Sequence, residues 1–286
     1  MDEKDARVIQ ILVSRLEESA GGAMQRDTTA KLVNVTAVCP LCNGTGWREV
    51  ALGDEKHVKR CECFLHSQSD RLLEMSGIPA RHSGCSFSNY KTNGNSAQEF
   101  AKLAIEKWAD EYPLNRTGLL VVGRCGVGKT HLAVSAIKRI AGKGIHCLFS
   151  DYRELLKQIQ NSYNPSVQAT ELEVLRPVFE TEVLLLDDLG AVKPSEWVWD
   201  TVSLILNTRY NANSTTIVTS NFELDDSDLD DPEADTPLTR VQAATRPETL
   251  RDRIGERMIS RLFEMCRIIA VPGKDYRQGL HSPSFR

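Results

Sequence analysis

The segment VVGRCGVGKTHLA, residues 121–133, contains GRCGVGKT, a match to the pattern G-x-x-x-x-G-K-[ST] that wraps nucleotide phosphates. Gly123, Gly126 and Gly128 let the backbone close on phosphate oxygens with its N–H groups turned inward. Lys129 supplies a point charge for the β- and γ-phosphates, and Thr130 a hydroxyl for Mg²⁺. Arg124, Cys125 and Val127 fill the variable positions and His131 follows, so the expected nucleotide-binding run is Gly123 to His131. Such a loop has meaning only between a strand and a helix. GLLVV (118–122) precedes it, and THLAVSAIKRIAGKG (130–144) follows with helical spacing, which aims a helix N-terminus at the anion.

Outward from the loop, short apolar runs alternate with helix-like ones: GLLVV, IHCLF (145–149), VLLLD (183–187), TTIVT (215–219) and RIIAV (267–271). Near-continuous apolar strands joined by helices predict an α/β fold with a parallel sheet covered on both faces. VLLLDD puts Asp187 at the end of a buried strand, where a phosphate loop needs an acid from a second strand. Asp187 would hold Mg²⁺ through water and Asp188 would polarise the attacking water; without the loop, both would read as caps on a turn. TIVTSN (216–221) ends in polar residues. Asn221, or Ser220 and Thr219 beside it, would reach the γ-phosphate or the water, although an ordinary strand exit accounts for them nearly as well.

The 286 residues are 41% hydrophobic and 26% charged, enough for one full domain and a smaller appendage. No apolar run approaches the ~20 residues of a membrane span, and MDEKDARVIQILV is acidic where a secretory signal is basic. A cytoplasmic protein with no membrane partner is therefore expected. A net charge of −4 argues against a general nucleic-acid coat while leaving room for a local basic surface. Val8, Ile9, Leu12, Val13 and Leu16 predict a helix over 5–19, stopped by Gly21-Gly22, and another helix is expected at about 96–111. ELDDSDLDDPEAD (223–235) has acidic side chains and no basic one, and reads as a solvated loop or linker.

Of eight cysteines, Cys85, Cys125, Cys147 and Cys266 stand alone and read as small buried hydrophobes. The other four form CPLC (39–42) and CEC (61–63), two pairs with the spacing of a tetrahedral zinc site at Cys39, Cys42, Cys61 and Cys63. A closed shell of four thiolates has no open position, so the metal would be structural. His57 and His66 lie near but are not needed. Trp47 follows the first pair and would pack on it or face a partner.

PETLRDRIGERMISRLFEM (247–265) predicts one helix starting at Pro247, with Leu250, Ile254, Met258 and Leu262 as its apolar stripe. Arg253, Arg257 and Arg261 recur every four residues on another face. They are either solvated Glu–Arg pairs or a source of an arginine finger for a neighbouring subunit's ATP. Arg277, in GKDYR, would reach phosphate in its own subunit.

GRCGVGKTHLA, SDYRELL (150–156), LLLDDLGAVKPSEWV (184–198), ILNTRY (205–210), TSNFEL (219–224), GERMISRLFEMCR (255–267) and GKDYR (273–277) together resemble AAA+ ATPases of the bacterial replicative helicase-loader group. That group is the DnaC/DnaI type and includes the IstB transposition helper. The resemblance covers roughly 78–286, and IPARHSGCSFSNY (78–90) is similar to the segment leading into the ATPase domain. It implies a three-layer AAA+ sandwich with a five-stranded parallel sheet and no C-terminal lid, in front of which the residues themselves place a helix (1–35) and the zinc module (36–77). It also implies roles. Gly123 to Thr130 would be Walker A, Asp187 and Asp188 Walker B, Asn221 a sensor, Arg261 the trans-acting finger with Arg257 beside it, and Arg277 a second sensor. Residues 151–180 correspond to the family's DNA-facing insertion, where Tyr163 would stack on a base. The implied function is an ATP-dependent loader that binds ATP, Mg²⁺ and single-stranded DNA, self-associates through its ATP site and delivers the replicative DNA helicase. The N-terminal helix and zinc module would grip that helicase. A transposition helper ATPase and a non-hydrolysing ATP switch are the alternatives. Two features depart from the family pattern: Asp188 where many AAA+ proteins carry Glu, which implies slow hydrolysis, and an acidic insertion before the arginine helix.

Overall fold

The structure, a computed structural model, describes residues 39–52, 55–92, 94–224 and 247–279. The helix expected over 5–19 and all but the start of the acidic segment 223–235 lie outside these residues. The chain divides into two compact units, Met1–Gly44 and Thr45–Arg286. In the first, residues 39–44 form a tight turn in which the N–H groups of Cys42 and Asn43 donate to the Cys39 carbonyl at 3.4 and 2.8 Å. Asn43 and Gly44 both take left-handed backbone, φ 48° and 82°.

The second unit opens with an antiparallel hairpin, β1 (Trp47–Leu52) and β2 (Glu55–Arg60), followed by helix α1 (Glu62–Met75). Sequence periodicity had not signalled these elements. Arg60 lies over the rings of Trp47 and Phe64, 3.7 and 4.3 Å from their centroids, so Trp47 packs within its own module. Leu72 of α1 is buried in the main core, and Ser76 just after the helix accepts the Phe149 N–H at 2.7 Å.

Helix α2 (Ser96–Glu111) starts where predicted, because the Asn95 side chain accepts from the N–H groups of Ala97 and Gln98. The remaining elements are β3 (Gly118–Val122), α3 (Lys129–Ala141), β4 (Cys147–Asp151), α4 (Tyr152–Ser162), α5 (Glu171–Glu180), β5 (Val183–Asp187), α6 (Glu196–Asn211), β6 (Thr215–Ser220), α7 (Leu250–Ile254), α8 (Glu256–Met265), β7 (Cys266–Ala270) and α9 (Tyr276–Gly279). Strands β3 to β7 form one parallel sheet in the order β4-β5-β6-β3-β7.

Alternate residues of the central strands feed two cores. Leu119, Val121, Leu185 and Ile217 meet α2 and α3, while Leu120, Leu184, Leu186 and Val218 meet α4, α5, α6 and α8. The expected three-layer sandwich with a five-stranded parallel sheet is therefore present. Among the described residues, no helix is long and apolar enough to cross a membrane.

Three expectations are corrected. The helix expected over 247–265 is two helices, because Gly255 takes φ 86° between α7 and α8. It starts after Thr249, whose N–H donates to Asp252 at 2.9 Å, rather than at Pro247. Cys85, Cys147 and Cys266 are buried as expected, but Cys125 is exposed on the glycine-rich loop.

Candidate functional site

The loop between β3 and α3 sits at the carboxyl ends of the strands, where open α/β sheets take their ligands. Its glycines are required by close approach as well as by φ. A Cβ at Gly123 (φ 149°) would collide with the Val271 carbonyl, one at Gly126 (φ 78°) with the Asp275 carboxylate and one at Gly128 (φ 94°) with the Tyr90 ring. Three hydrogen bonds fix the loop from the same sides: Val271 N–H to the Val122 carbonyl (2.8 Å), Tyr276 N–H to Gly126 (3.0 Å) and the Tyr90 hydroxyl to Val127 (2.8 Å). The loop is thus held open from outside, with its N–H groups kept for an anion.

Lys129 is only 6% exposed and donates to the Arg124 carbonyl at 2.9 Å and to Asn221 Oδ1 at 2.7 Å. Burial lowers its pKa, and nearby negative groups, including Asp187 and Asp188, oppose that shift. Asp187 Oδ1 accepts hydroxyls from Thr130 (2.9 Å) and Thr219 (2.6 Å). Burial nonetheless raises the pKa of this carboxyl, the two hydroxyls pulling only partly against it. Asp188 follows in left-handed backbone, φ 62°, an uncommon state for a residue with a side chain. Its N–H donates to Thr219 Oγ1 at 2.9 Å and its carboxylate accepts from Asn221 Nδ2. Burial and then the Asp187 charge raise its pKa.

Asn221 therefore bridges Lys129 to Asp188, and Thr219 serves both acids. Ser220, the third polar residue at the β6 exit, is fully buried and donates to the Leu189 carbonyl at 2.9 Å. Lys129, Asp187, Asp188, Thr219 and Asn221 line a cleft of ≈ 1340 Å³ that Arg81, Lys91, Lys274 and Arg277 make basic. Cys125 to His131 line it, whereas Gly123 and Arg124 do not; Arg124 contributes its carbonyl to Lys129. His131 meets the Ser86 carbonyl at 2.9 Å and the edge of Tyr90, ring centroids 5.5 Å apart. The cleft holds donors for a polyphosphate and two acids for a divalent cation.

The C-terminal arginines part company. Arg253 pairs with Glu248 and covers Phe222, and Arg257 is exposed. Arg261 lies over the Tyr210 ring, 5.5 Å from its centroid. Neither Arg257 nor Arg261 lines the cleft of its own chain. Sequence reasoning missed Arg81, Tyr90, Gln98 and Asp151, which also line it. Tyr90 comes to the loop across 37 positions, and only its place at the end of IPARHSGCSFSNY hinted at it.

Cys39 and Cys42 stand in the turn of the first unit and Cys61 and Cys63 at the start of α1 in the second, four cysteines that could hold a metal ion. Cys61 occupies the N-cap position of α1 and Cys63 lies in its first turn. Four sulfur donors suit zinc. His57 and His66 are outside the group.

A glycine-rich loop after β3, an acidic pair closing β5 and the order β4-β5-β6-β3-β7 define a P-loop ATPase domain of the AAA+ class. Within that class, the model of the family "IstB-like ATP binding protein" matches residues 49–242, and the chain belongs to this family. Among curated relatives it is 25% identical over 200 residues to the uncharacterized protein YqaM of Bacillus subtilis, covering 66% of this chain and 60% of that one. It is 26% identical over 153 residues to the replicative helicase loader DnaC of Buchnera aphidicola subsp. Schizaphis graminum, covering 54% and 62%. The match thus spans about three fifths of these relatives' length. Among solved structures, the crystal structure of the DnaC helicase loader superposes with a TM-score of 0.55 at 30% identity, over 68% of this chain and 99% of that one.

Proposed function

We propose that this protein is a cytoplasmic ATP-dependent helicase loader: it binds ATP with Mg²⁺, assembles with copies of itself on single-stranded DNA and delivers a replicative helicase. The observation that carries the reading is the match to the DnaC helicase loader over nearly all of that chain, with a cysteine module in front. In this reading the domains are an N-terminal helix (1–35), a zinc module (36–77) and the ATPase (78–286), the first two gripping the helicase.

Lys129 and the loop N–H groups hold the triphosphate, and Thr130 with Asp187 holds Mg²⁺. Asp188 orients the water, Asn221 reports the γ-phosphate to it, and Arg277 reaches phosphate in its own chain. Arg261, with Arg257 beside it, serves the ATP of a neighbouring copy. Asp188 has one methylene fewer than Glu and is tied to Asn221, so turnover is slow until DNA or the partner moves that pair. Tyr163, 53% exposed, offers a ring for base stacking beside Trp197, whose Nε1 meets the Tyr163 hydroxyl at 3.3 Å.

The test is co-purification of the full chain with the host's replicative helicase, with and without ATP, alongside ATP turnover with and without single-stranded DNA. A complex together with DNA-stimulated turnover is expected. Failure to form a complex under either condition favours the transposition-helper reading, which the family's IstB-like description supports. A complex with no turnover favours an ATP clamp.

The cysteine module holds a structural zinc in the same reading. Purified protein is expected to carry about one zinc per chain. Cys61→Ser should lower the metal content and open the hairpin to proteolysis. A metal-free wild-type protein with a protected hairpin would refute the zinc assignment.

A further inference from the structure

We propose that Tyr210 is a positioning residue for Arg261, holding its guanidinium ready for the nucleotide site of a second copy of this chain. This rests on the reading of Arg261 as a trans-acting group. Tyr210 closes the last turn of α6, and Arg261 lies midway along α8, so two helices rather than one loop define the pair. The buried face of α8, Met258, Ile259 and Leu262, fixes that helix against the core. Arg261 leaves the helix beside this face and lies over the Tyr210 ring at 5.5 Å, a cation–π arrangement. The Tyr210 hydroxyl lies near Glu264, one turn further along α8. The ring comes from α6, and its face carries the cation of α8.

Two observations separate this arrangement from an ordinary surface pair. Arg261 Nη1 is buried without a hydrogen-bond partner, so the guanidinium is oriented yet keeps unspent donor capacity. Arg253, two turns earlier in the same arginine series, is by contrast committed to Glu248 and Phe222. A flexible arginine must be ordered before it can stabilise charge on a transferring phosphoryl group, and a ring supplies that order without neutralising the cation as a carboxylate would.

The test uses mixtures of two full-length variants in the presence of single-stranded DNA. Lys129→Ala chains cannot hold nucleotide but can donate Arg261, and Arg261→Ala chains hold nucleotide but cannot donate. Each alone should be inactive, and the mixture should regain turnover. Tyr210→Leu added to the donating chain should lower that recovered turnover about tenfold or more with little change in KM. The same substitution in the nucleotide-holding chain should have no effect. Tyr210→Phe in the donating chain should retain most of the activity, because the ring face remains. Equal loss from both placements would make Tyr210 merely structural, and no loss from the donor would remove it from this role. If the parent mixture never regains turnover, the trans-acting reading of Arg261 falls, and this inference with it.

Discussion

Asp187→Asn should reduce Mg²⁺-dependent ATP turnover by at least about a hundredfold and leave the nucleotide-free protein as stable as before or more so. The catalytic loss follows if Asp187, beside Thr130, is the anionic anchor for the metal. The stability effect follows from the groups around it. Thr130 and Thr219 donate to Asp187 Oδ1, and an amide oxygen can accept the same two hydroxyls. What the substitution removes is a buried charge next to a second carboxylate. Asp187 and Asp188 both have pKa values raised above the ordinary 3.8, so the folded chain binds more protons than the unfolded one. Their stabilising contribution is complete below that ordinary value and is lost as pH rises through the raised folded value. The wild type should therefore lose stability with rising pH across this window, and Asp187→Asn should show a shallower decline. Thermal melts over a pH series without nucleotide, paired with turnover in Mg²⁺, measure both effects. Undiminished turnover, or a variant clearly less stable at neutral pH, would count against the assignment.

The loop and its acids were legible because each is a local motif at the end of an apolar strand. β3 and β5 match their expected limits residue for residue, being buried throughout and bounded by sharp changes in polarity. β4 starts later than IHCLF suggested, since the strand runs on to Asp151, whose carboxylate then caps α4. The break at Gly255 was hidden for a different reason. Leu250, Ile254, Met258 and Leu262 all reach the same core, so two helices together mimic one stripe. The hairpin was illegible because neither strand has an apolar face long enough to stand out: Trp47↔Arg60 and Glu49↔Val58 mix polarity within each rung. Tyr90 and Arg81 joined the site through tertiary approach, which no spacing rule contains.

Arg209 shows the same limit, because ILNTRY marked it only as part of a resemblance. Replacing it should produce the largest loss of stability of any single change considered, about 3–5 kcal/mol for Arg209→Met, since each buried acceptor left without a donor costs about 1–3 kcal/mol. The guanidinium is fully buried, and no carboxylate is among its hydrogen-bond partners. Its Nε donates to Thr216 Oγ1 at 2.9 Å, Nη1 to the carbonyls of Val178 (2.8 Å) and Thr181 (3.0 Å), and Nη2 to that of Thr215 (2.6 Å). Val178 and Thr181 belong to the end of α5, where carbonyl dipoles converge and a cation is favoured. Burial lowers the Arg209 pKa to about 10, so the side chain stays charged at neutral pH. Methionine would fill the space but leave those carbonyls without donors in a dry interior. Lysine should rescue little, since one ammonium cannot reproduce a planar fork that spans a helix end and a strand start. Urea denaturation of the three proteins measures this, and an Arg209→Met variant within about 1 kcal/mol of wild type would contradict it. The location gives the loss a functional reading. Arg209 joins the helical segment 151–180 to the first residues of β6, and the far end of that strand carries Thr219 and Asn221 between the acids and Lys129. Under the proposed loader role, with DNA on that segment, a chain weakened here should also respond less to DNA in its turnover.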